Sequence, residues 1–217
     1  MTCEIKVKQV DDFALTGLGD ALAWAKADWH SLVPVGGAGD GQATRFQCVW
    51  SATGLYFFFD CADKKLTSSG LGDFDDLYLE DVVEIFLWPE EAHEIYFEYE
   101  ISPFGAELPL LVSNRAGQFM GWRPWHYQGE RETRRAASVR GGVKAPQETI
   151  TAWAAEFFIP FALLKGLGNV PPISGTHWRA NMYRIDYDSG PPAQSAWCDR
   201  TGPNFHNFHE FGHLVFV

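Results

Sequence analysis

The stretch DVVEIFLWPEEAHEIYFEYEI, residues 81–101, decides the fold. It holds two apolar segments of strand length, Asp81–Trp88 and Glu94–Ile101, and only five residues separate them. Such a short connection between two strand-like segments predicts an antiparallel hairpin. A symmetric turn would centre this hairpin on Glu91.

Side chains alternate between the two faces of a strand, so odd and even positions of this hairpin separate. The odd positions are all apolar or aromatic and are expected to face a core: Val83, Ile85, Leu87, Ile95, Phe97, Tyr99 and Ile101. The even positions mix carboxylates with rings: Glu84, Phe86, Trp88, Glu94, Tyr96, Glu98 and Glu100.

In the symmetric hairpin Glu84 lies opposite Glu98, and Phe86 lies opposite Tyr96. Like charges directly opposite each other destabilise a hairpin unless a cation or a hydrogen-bonding group lies between them. The even face is therefore either a binding surface or a solvated face covered by a neighbouring strand. The hairpin alone leaves both interpretations open.

Further strand-like segments recur between turn signals rich in Gly, Pro, Asn, Asp and Ser. They are Thr44–Trp50, Leu55–Cys61, Glu107–Ser113, Glu148–Ile159, Thr176–Asp186 and Gly212–Val217. Helical periodicity is confined to a turn or two within Gly19–Asp28 and one turn at Phe161–Lys165. The pattern predicts an all-β chain, an antiparallel β-sandwich with few short helical turns, as a single domain over residues 1–217.

Composition excludes some classes of partner. The formal net charge of −11 opposes binding to nucleic acid or to an anionic membrane. No apolar run is long enough to span a bilayer, and the N-terminus carries no secretory signal, so a cytoplasmic protein and a mature exported chain both stay open. Aromatic residues make up 15% of the chain, with 17 Phe, 9 Trp and 7 Tyr. Rings in excess of a core's needs often face a ligand.

The cysteines predict no covalent framework. Cys3, Cys48, Cys61 and Cys198 are few and scattered for a chain of this length, and none forms a CxxC pair. We expect buried or free thiols.

Several segments together resemble carbohydrate-binding module family 9. They are Asp81–Leu87, Trp153–Pro160 (WAAEFFIP), Asn181–Asp186 (NMYRID), Phe205-His206 and Phe211–Phe216 (FGHLVF), in this order. The resemblance implies an antiparallel β-sandwich that binds sugars without catalysis. It also implies mono- or oligosaccharide ligands and a separate polysaccharide-degrading enzyme as a partner.

The resemblance further implies a sugar clamped between two rings. Its ring positions fall on Tyr78 and Phe205, where the family has tryptophans. The position of the hydroxyl-binding Glu falls on Glu84, and an amide position falls on Tyr183. The family's Arg position falls on Glu98.

Three further residues complete the predicted binding set. Arg184 would replace the missing cation if it reached between Glu84 and Glu98, and would otherwise form a structural ion pair. His206 is expected beside Phe205 as a hydrogen-bonding group. Trp125, in the ring-rich segment GWRPWHY (residues 121–127), is a candidate sugar platform or a residue folded back on the sandwich edge.

No cofactor is expected to be required, although structural calcium occurs in relatives. The acidic residues Asp73, Asp75, Asp76, Glu80 and Asp81 offer oxygen ligands for calcium but show no EF-hand spacing, so a solvated acidic loop is the alternative.

Two other functions stay open. Glu84 and Glu98 could serve a glycoside-active enzyme, since paired carboxylates perform glycoside hydrolysis. An open sheet face, however, lacks the apolar pocket that raises the pKa of a catalytic acid. A structural or haem-binding domain is the third alternative, and we expect no haem.

Overall fold

The computed structural model describes residues 3–37, 42–198, 202 and 204–217. Fourteen strands form in this part of the chain: β1 (Glu4–Gln9), β2 (His30–Ser31), β3 (Val33–Pro34), β4 (Thr44–Trp50), β5 (Gly54–Ala62), β6 (Val82–Trp88), β7 (Ile95–Ile101), β8 (Glu107–Arg115), β9 (Gln118–Pro124), β10 (Arg134–Arg140), β11 (Ala152–Pro160), β12 (His177–Asp186), β13 (Ala193–Ala196) and β14 (Gly212–Phe216). The predicted all-β class is confirmed.

Helical structure in the described residues is limited to short turns, with a single α-helix among them. The one α-helix, α1 (Phe161–Leu164), follows Pro160, whose fixed φ suits a helix start. The 3₁₀ turns are Leu22–Lys26, Val35–Gly37, Leu77–Leu79, Gly129–Arg131, Lys165–Leu167 and Phe208–Glu210. Within the described ranges, no helix has the length and apolar character needed to cross a membrane.

The strands form one continuous, curled sheet in the order β10-β11-β5-β4-β1-β14-β12-β6-β7-β8-β9. We call β10-β11-β5-β4 the first half-sheet and β14-β12-β6-β7-β8-β9 the second. Strand β1 joins them, because Glu4–Val7 pair with β14 and Lys8–Gln9 pair with β4. Both pairings are parallel, so the sheet is mixed at β1 and departs there from the wholly antiparallel sandwich predicted.

The two half-sheets pack their inner faces together around a core rich in rings. Phe157 stacks on Phe57 and Phe59, with ring centroids 5.4 and 6.0 Å apart. The second half-sheet contributes Val83, Ile85, Leu87, Phe97, Tyr99, Ile101 and Met182. Burying one such side chain stabilises the fold by about 1.5–3 kcal/mol. The odd face of the predicted hairpin is therefore the core face, except that Ile95 is 41% exposed.

The register of the hairpin differs from the symmetric prediction. Glu84 lies opposite Glu100 rather than Glu98, and Phe86 lies opposite Glu98 rather than Tyr96. The turn is centred one residue later than predicted, because two hydrogen bonds form within the loop. The His93 N–H donates to the Glu90 carbonyl, and the Trp88 indole N–H donates to the His93 carbonyl. The pairing therefore moves by two residues, and each side chain keeps its face.

The expectation of free thiols is wrong for two of the four cysteines. Cys3 and Cys198 form a disulfide across 195 residues of sequence. Cys3 directly precedes β1 and Cys198 follows β13, so the sheet brings together two residues that sequence spacing could not pair. Cys48 and Cys61 are free and buried, as expected, and burial raises the pKa of each thiol to about 12.

Replacing both bridging cysteines (C3S/C198S) is expected to lower the free energy of unfolding by about 2–5 kcal/mol, because the unfolded chain regains the entropy that the bridge removes. Urea unfolding with and without reductant measures the loss. Reductant should bring the midpoint of the unmodified chain to that of the variant and leave the variant unchanged. Equal midpoints for the oxidised chain and the variant would contradict the bridge.

Candidate functional site

The outer face of the second half-sheet carries an open pocket of about 340 Å³. This size falls within the ~300–1,000 Å³ typical of ligand pockets. The pocket is lined by Tyr78, Glu84, Phe86, Glu98, Glu100, Phe119, Trp122, Ile185, Gln194, Asn204, Phe205 and His206. The even face of the hairpin therefore forms the pocket floor, and of its two open interpretations the structure favours a binding surface.

Aromatic lining distinguishes this pocket from three other clefts. Two of them lie beside Lys64 and Asp188 and beside Asp12 and Ser51, and both are walled by polar or small side chains. The third is walled by an Arg45–Asp60–Arg140 ion cluster and small side chains. None of these three has an aromatic ring in its wall.

Five of the eight predicted binding residues line the pocket together: Tyr78, Glu84, Glu98, Phe205 and His206. Trp125, Tyr183 and Arg184 do not. Phe119, Asn204 and Gln194 line the pocket and were not predicted, whereas Trp122 belongs to the ring-rich segment of residues 121–127 that was expected either to face a ligand or to fold back on the sandwich.

Phe205 rests on a support built from β12. Its ring stacks on that of Tyr183, with centroids 4.0 Å apart and planes 14° apart. The Tyr183 hydroxyl donates to the Phe205 carbonyl at 2.9 Å and accepts from Asn181 Nδ2 at 2.7 Å. Asn181 Nδ2 also donates to the carbonyl of Cys198, the disulfide residue. Tyr183 therefore positions Phe205 from beneath, which corrects the prediction that its hydroxyl contacts sugar.

His206 lies between two rings at the pocket wall. Its imidazole stacks on Phe119 at 4.2 Å and on Phe86 at 5.4 Å between centroids. The Tyr96 hydroxyl and His206 Nδ1 share a hydrogen bond of 2.6 Å. Burial lowers the pKa of His206 to about 4, so the ring is neutral at pH 7. With Nδ1 engaged, Nε2 is the nitrogen left for a ligand.

Exposed rings form the mouth of the pocket. Trp122 is 37% exposed and Phe119 43% exposed, both on the edge strand β9. Tyr78, in the 3₁₀ turn Leu77–Leu79, meets the Trp122 ring edge to face at 6.5 Å. A half-exposed indole held by a strand offers an apolar platform to a ligand at little cost in side-chain entropy.

Three carboxyl groups form the polar floor. Burial, and then the neighbouring charge of Glu98, raises the pKa of Glu84 well above its ordinary value. Burial raises the pKa of Glu98 to about 8. Burial and the charges of Glu84 and Glu98 raise the pKa of Glu100, although the backbone of Tyr78 opposes this rise. The empty pocket therefore holds largely protonated carboxyl groups at neutral pH.

Arg184 does not supply a cation to this floor. It follows Tyr183 on β12 and points to the opposite face, where it lies opposite Val83. Its guanidinium pairs with Asp63 at 2.9 Å and Asp186 at 3.0 Å. The structural ion pair, which was the alternative expectation, is the observed one.

Trp125 is also directed away from the pocket. Its ring packs against the core between the half-sheets, and its indole N–H donates to the Leu163 carbonyl. Trp122 is three residues away on the same extended segment, so the two indoles face opposite sides. Of the two expectations for Trp125, the residue that folds back on the sandwich is the observed one.

Outside the pocket, two acidic clusters of the described residues are engaged by the chain's own donors. Asp63, Asp186 and Asp188 have oxygens within 4.8 Å of one another, yet Arg184, Thr67 and backbone N–H groups of residues 64, 65 and 188 already donate to them. In the predicted acidic loop, Asp73 pairs with Arg135, and Glu80 accepts from Ser68 and Ser69. The chain's own donors thus occupy these oxygens, and structural calcium stays an untested prediction.

Comparisons with known proteins agree with this fold. No protein-family model matches the chain, and no curated protein sequence matches it. Among solved structures, a protein of Bacteroides uniformis to which carbohydrate binding has been attributed matches with a TM-score of 0.79 and 18% identity, over 100% of both chains.

Two structures of a carbohydrate-binding module of family 9 from Caldicellulosiruptor kristjanssonii also match, both with a TM-score of 0.68. The complex with cellotriose is 18% identical over 98% of this chain and 93% of the other. The complex with glucose is 17% identical over 99% and 95%. The fold implied by the resemblance is therefore confirmed.

The raised pKa values of the floor carboxyls predict how stability depends on pH. Between about pH 5 and pH 8 the folded chain keeps protons on these groups that the unfolded chain has released. The free energy of unfolding should therefore fall as pH rises, by about 1.4 kcal/mol per pH unit for each proton. Asp63 and Asp81, whose pKa values burial raises to about 7, add to this slope.

The variant E98Q/E100Q should flatten the slope, because two of the proton-retaining groups are gone. Urea unfolding at pH 5, 6, 7 and 8 measures it. The matched control E132Q/E148Q removes two exposed carboxylates and should keep the slope of the unmodified chain. An unchanged slope in E98Q/E100Q would show that the floor carboxyls titrate normally.

Proposed function

We propose that this chain is a non-catalytic saccharide-binding module whose ligand occupies the pocket on the second half-sheet. One observation carries the proposal: exposed rings and buried carboxyl groups line the same pocket. The fold supports it, because solved structures of the same fold hold cellotriose and glucose. A mono- or oligosaccharide is thus the class of ligand to test.

The two kinds of lining group match the two surfaces of a pyranose. Its C–H face packs on an aromatic ring, and Trp122 and Phe205 are the rings best placed at the mouth and wall. Its equatorial hydroxyls need hydrogen-bonding partners, which Glu84, Glu98 and Glu100 offer on the floor. A protonated carboxyl both donates and accepts, so the floor suits hydroxyl groups even without ionised side chains.

The electrostatics of the floor argue against a glycosidase. Glycoside hydrolysis needs one carboxyl protonated as the acid and the other ionised as nucleophile or base. Burial raises the pKa of Glu84 well above its ordinary value and that of Glu98 to about 8, so neither carboxyl is held ionised at neutral pH as a nucleophile or base must be. A separate polysaccharide-degrading enzyme as a partner stays a prediction.

Removing a mouth ring should weaken saccharide binding without unfolding the chain. Trp122→Ala is expected to lower the affinity for a bound oligosaccharide about twofold to tenfold, because a ring contact contributes roughly 0.5–1.5 kcal/mol beyond burial. Isothermal titration against gluco-oligosaccharides and other sugars measures the loss. The same thermal midpoint as the unmodified chain would show that the fold is retained.

Trp29→Ala is the matched control. Trp29 is 40% exposed, close to the exposure of Trp122, but it packs on Phe58 in the first half-sheet. Its removal should leave saccharide affinity unchanged. Equal losses in both variants would contradict a binding role for Trp122, and no heat with any saccharide would overturn the proposed function.

Hydrolysis tests the enzymatic alternative directly. Chromogenic glycosides of varied sugars should release no chromophore above the rate of the Glu84→Gln variant. Turnover that disappears in Glu84→Gln would replace the binding function with an enzymatic one.

A further inference from the structure

The pocket floor holds three buried carboxyl groups that the described part of the chain supplies with few hydrogen-bond donors and no cation. Glu84, Glu98 and Glu100 are 3%, 5% and 0% exposed, and all three line the pocket. Glu98 and Glu100 are two residues apart on β7 and therefore share one face of the sheet. Glu84 lies opposite Glu100 on β6. Ionisation of all three would place three negative charges on one small surface.

Part of this floor has no hydrogen-bond donor from the protein. Glu98 Oε2 and both side-chain oxygens of Glu100 are buried and accept no hydrogen bond of good geometry. The backbone of Tyr78 lies near Glu100 and opposes the rise in its pKa, and a proton shared between Glu98 and Glu100 would bridge the two carboxyls. Buried acceptors left in this state cost free energy, so their persistence beside an open pocket points to a ligand that donates to them.

The rest of the chain treats buried carboxylates differently. Glu156 accepts from the N–H groups of Thr16 and Gly17 and from the Trp24 indole. Glu107 pairs with Arg135 and accepts from the Tyr99 hydroxyl. Glu107 Oε1 also accepts no hydrogen bond, but Arg135 pairs with it. Among the described residues, the buried carboxyl oxygens that have neither a hydrogen bond nor an Arg or Lys beside them belong to Glu98 and Glu100 in the pocket.

No protein cation neutralises the floor among the residues described. The pocket lining includes no Lys or Arg, and Arg184 is engaged on the opposite face. The titratable groups around the floor are neutral at pH 7. They are Tyr78 of the 3₁₀ turn, Tyr96 on β7, Tyr187 after β12, and His206.

We propose that the pocket selects a saccharide carrying a protonated amino group, whose ammonium binds the carboxyl groups of the floor while its ring faces pack on Trp122 and Phe205. An ammonium has three N–H donors and a positive charge, which are the two things that the floor lacks. The surrounding ring faces add cation–π attraction. This inference rests on the proposed saccharide-binding function and names its ligand class.

A single metal ion fits the floor less well. Within the described residues, the three carboxylates whose oxygens lie within 4.8 Å of one another are Asp63, Asp186 and Asp188, and not the floor glutamates. Calcium takes six to eight oxygens, whereas five of the twelve residues that line this pocket are Phe, Trp or Tyr. An ammonium needs no complete shell of oxygens, and Glu98 and Glu100, which lie close enough to share a proton, can both accept from it.

Three sugars that differ at one carbon test the inference: glucose, glucosamine and N-acetylglucosamine, with their short β-1,4-linked oligomers. Isothermal titration at pH 7 with EDTA present should give the amine at least about tenfold tighter binding than the hydroxyl or the acetamide, since charge-assisted hydrogen bonds are the stronger ones. Titration in buffers of different ionisation enthalpy should show proton release when the amine binds and none when the other two sugars bind. The positive charge of the ammonium favours ionised floor carboxyls, which therefore release their protons.

The isosteric variant E98Q/E100Q removes the charge and keeps the shape of the floor. In this variant the affinities for the amine and for the hydroxyl sugar should become about equal. The control E132Q/E148Q, which changes exposed carboxylates, should keep the preference for the amine. Equal affinity of the unmodified chain for the three sugars, a preference that persists in E98Q/E100Q, or binding that EDTA abolishes would each overturn the inference. Failure to bind any saccharide would instead overturn the proposed function itself.

Discussion

The alternation of side chains across β6 and β7 connects the interior of this protein to its pocket. Every second residue of these strands enters the core between the half-sheets, and the residues between them form the pocket floor. A slip of one residue would expose Ile85 and Leu87 and bury Glu84 in the core. Such a slip would cost the burial of these apolar side chains, so the packing of the core also fixes the carboxyl groups at the pocket. The site is thus held in place by packing on the other side of the same sheet.

Buried charge is handled in two ways on the two faces of β12. Arg184 faces the interior side and is neutralised by Asp63 and Asp186, so the ion pair has a structural role. On the other face, Asn181 and Tyr183 support the backbone of Phe205 and add no charge. The consequence is a pocket with a supported wall whose lining holds three carboxyl groups and no Lys or Arg.

Sequence reasoning did not predict the short strand β1, although Ile5 and Val7 enter the core. It located the longer strands that enter the core, because apolar alternation marks them, and β4 matched its prediction residue for residue. It missed β9 and β10, whose residues are mostly exposed or half-buried at the two sheet edges and show no apolar period. Because β9 was not predicted as a strand, the alternation of faces that puts Trp122 and Trp125 on opposite sides could not be applied. The same alternation on β12, a strand that was predicted, would have placed Arg184 on the core face. The hairpin register and the Cys3–Cys198 bridge depend on a turn geometry and a strand order that local sequence does not encode.

The disulfide ties the residue before β1 to the residue that anchors the support of the pocket wall. Cys198 is held both by Cys3 and by Asn181, and Asn181 holds the tyrosine beneath Phe205. A chain shortened by its first three residues would keep every strand but would lose one of two anchors near the pocket wall. The ambient redox potential thus becomes a determinant of wall rigidity, and the same sequence would present a firmer pocket in an oxidising compartment than in a reducing one.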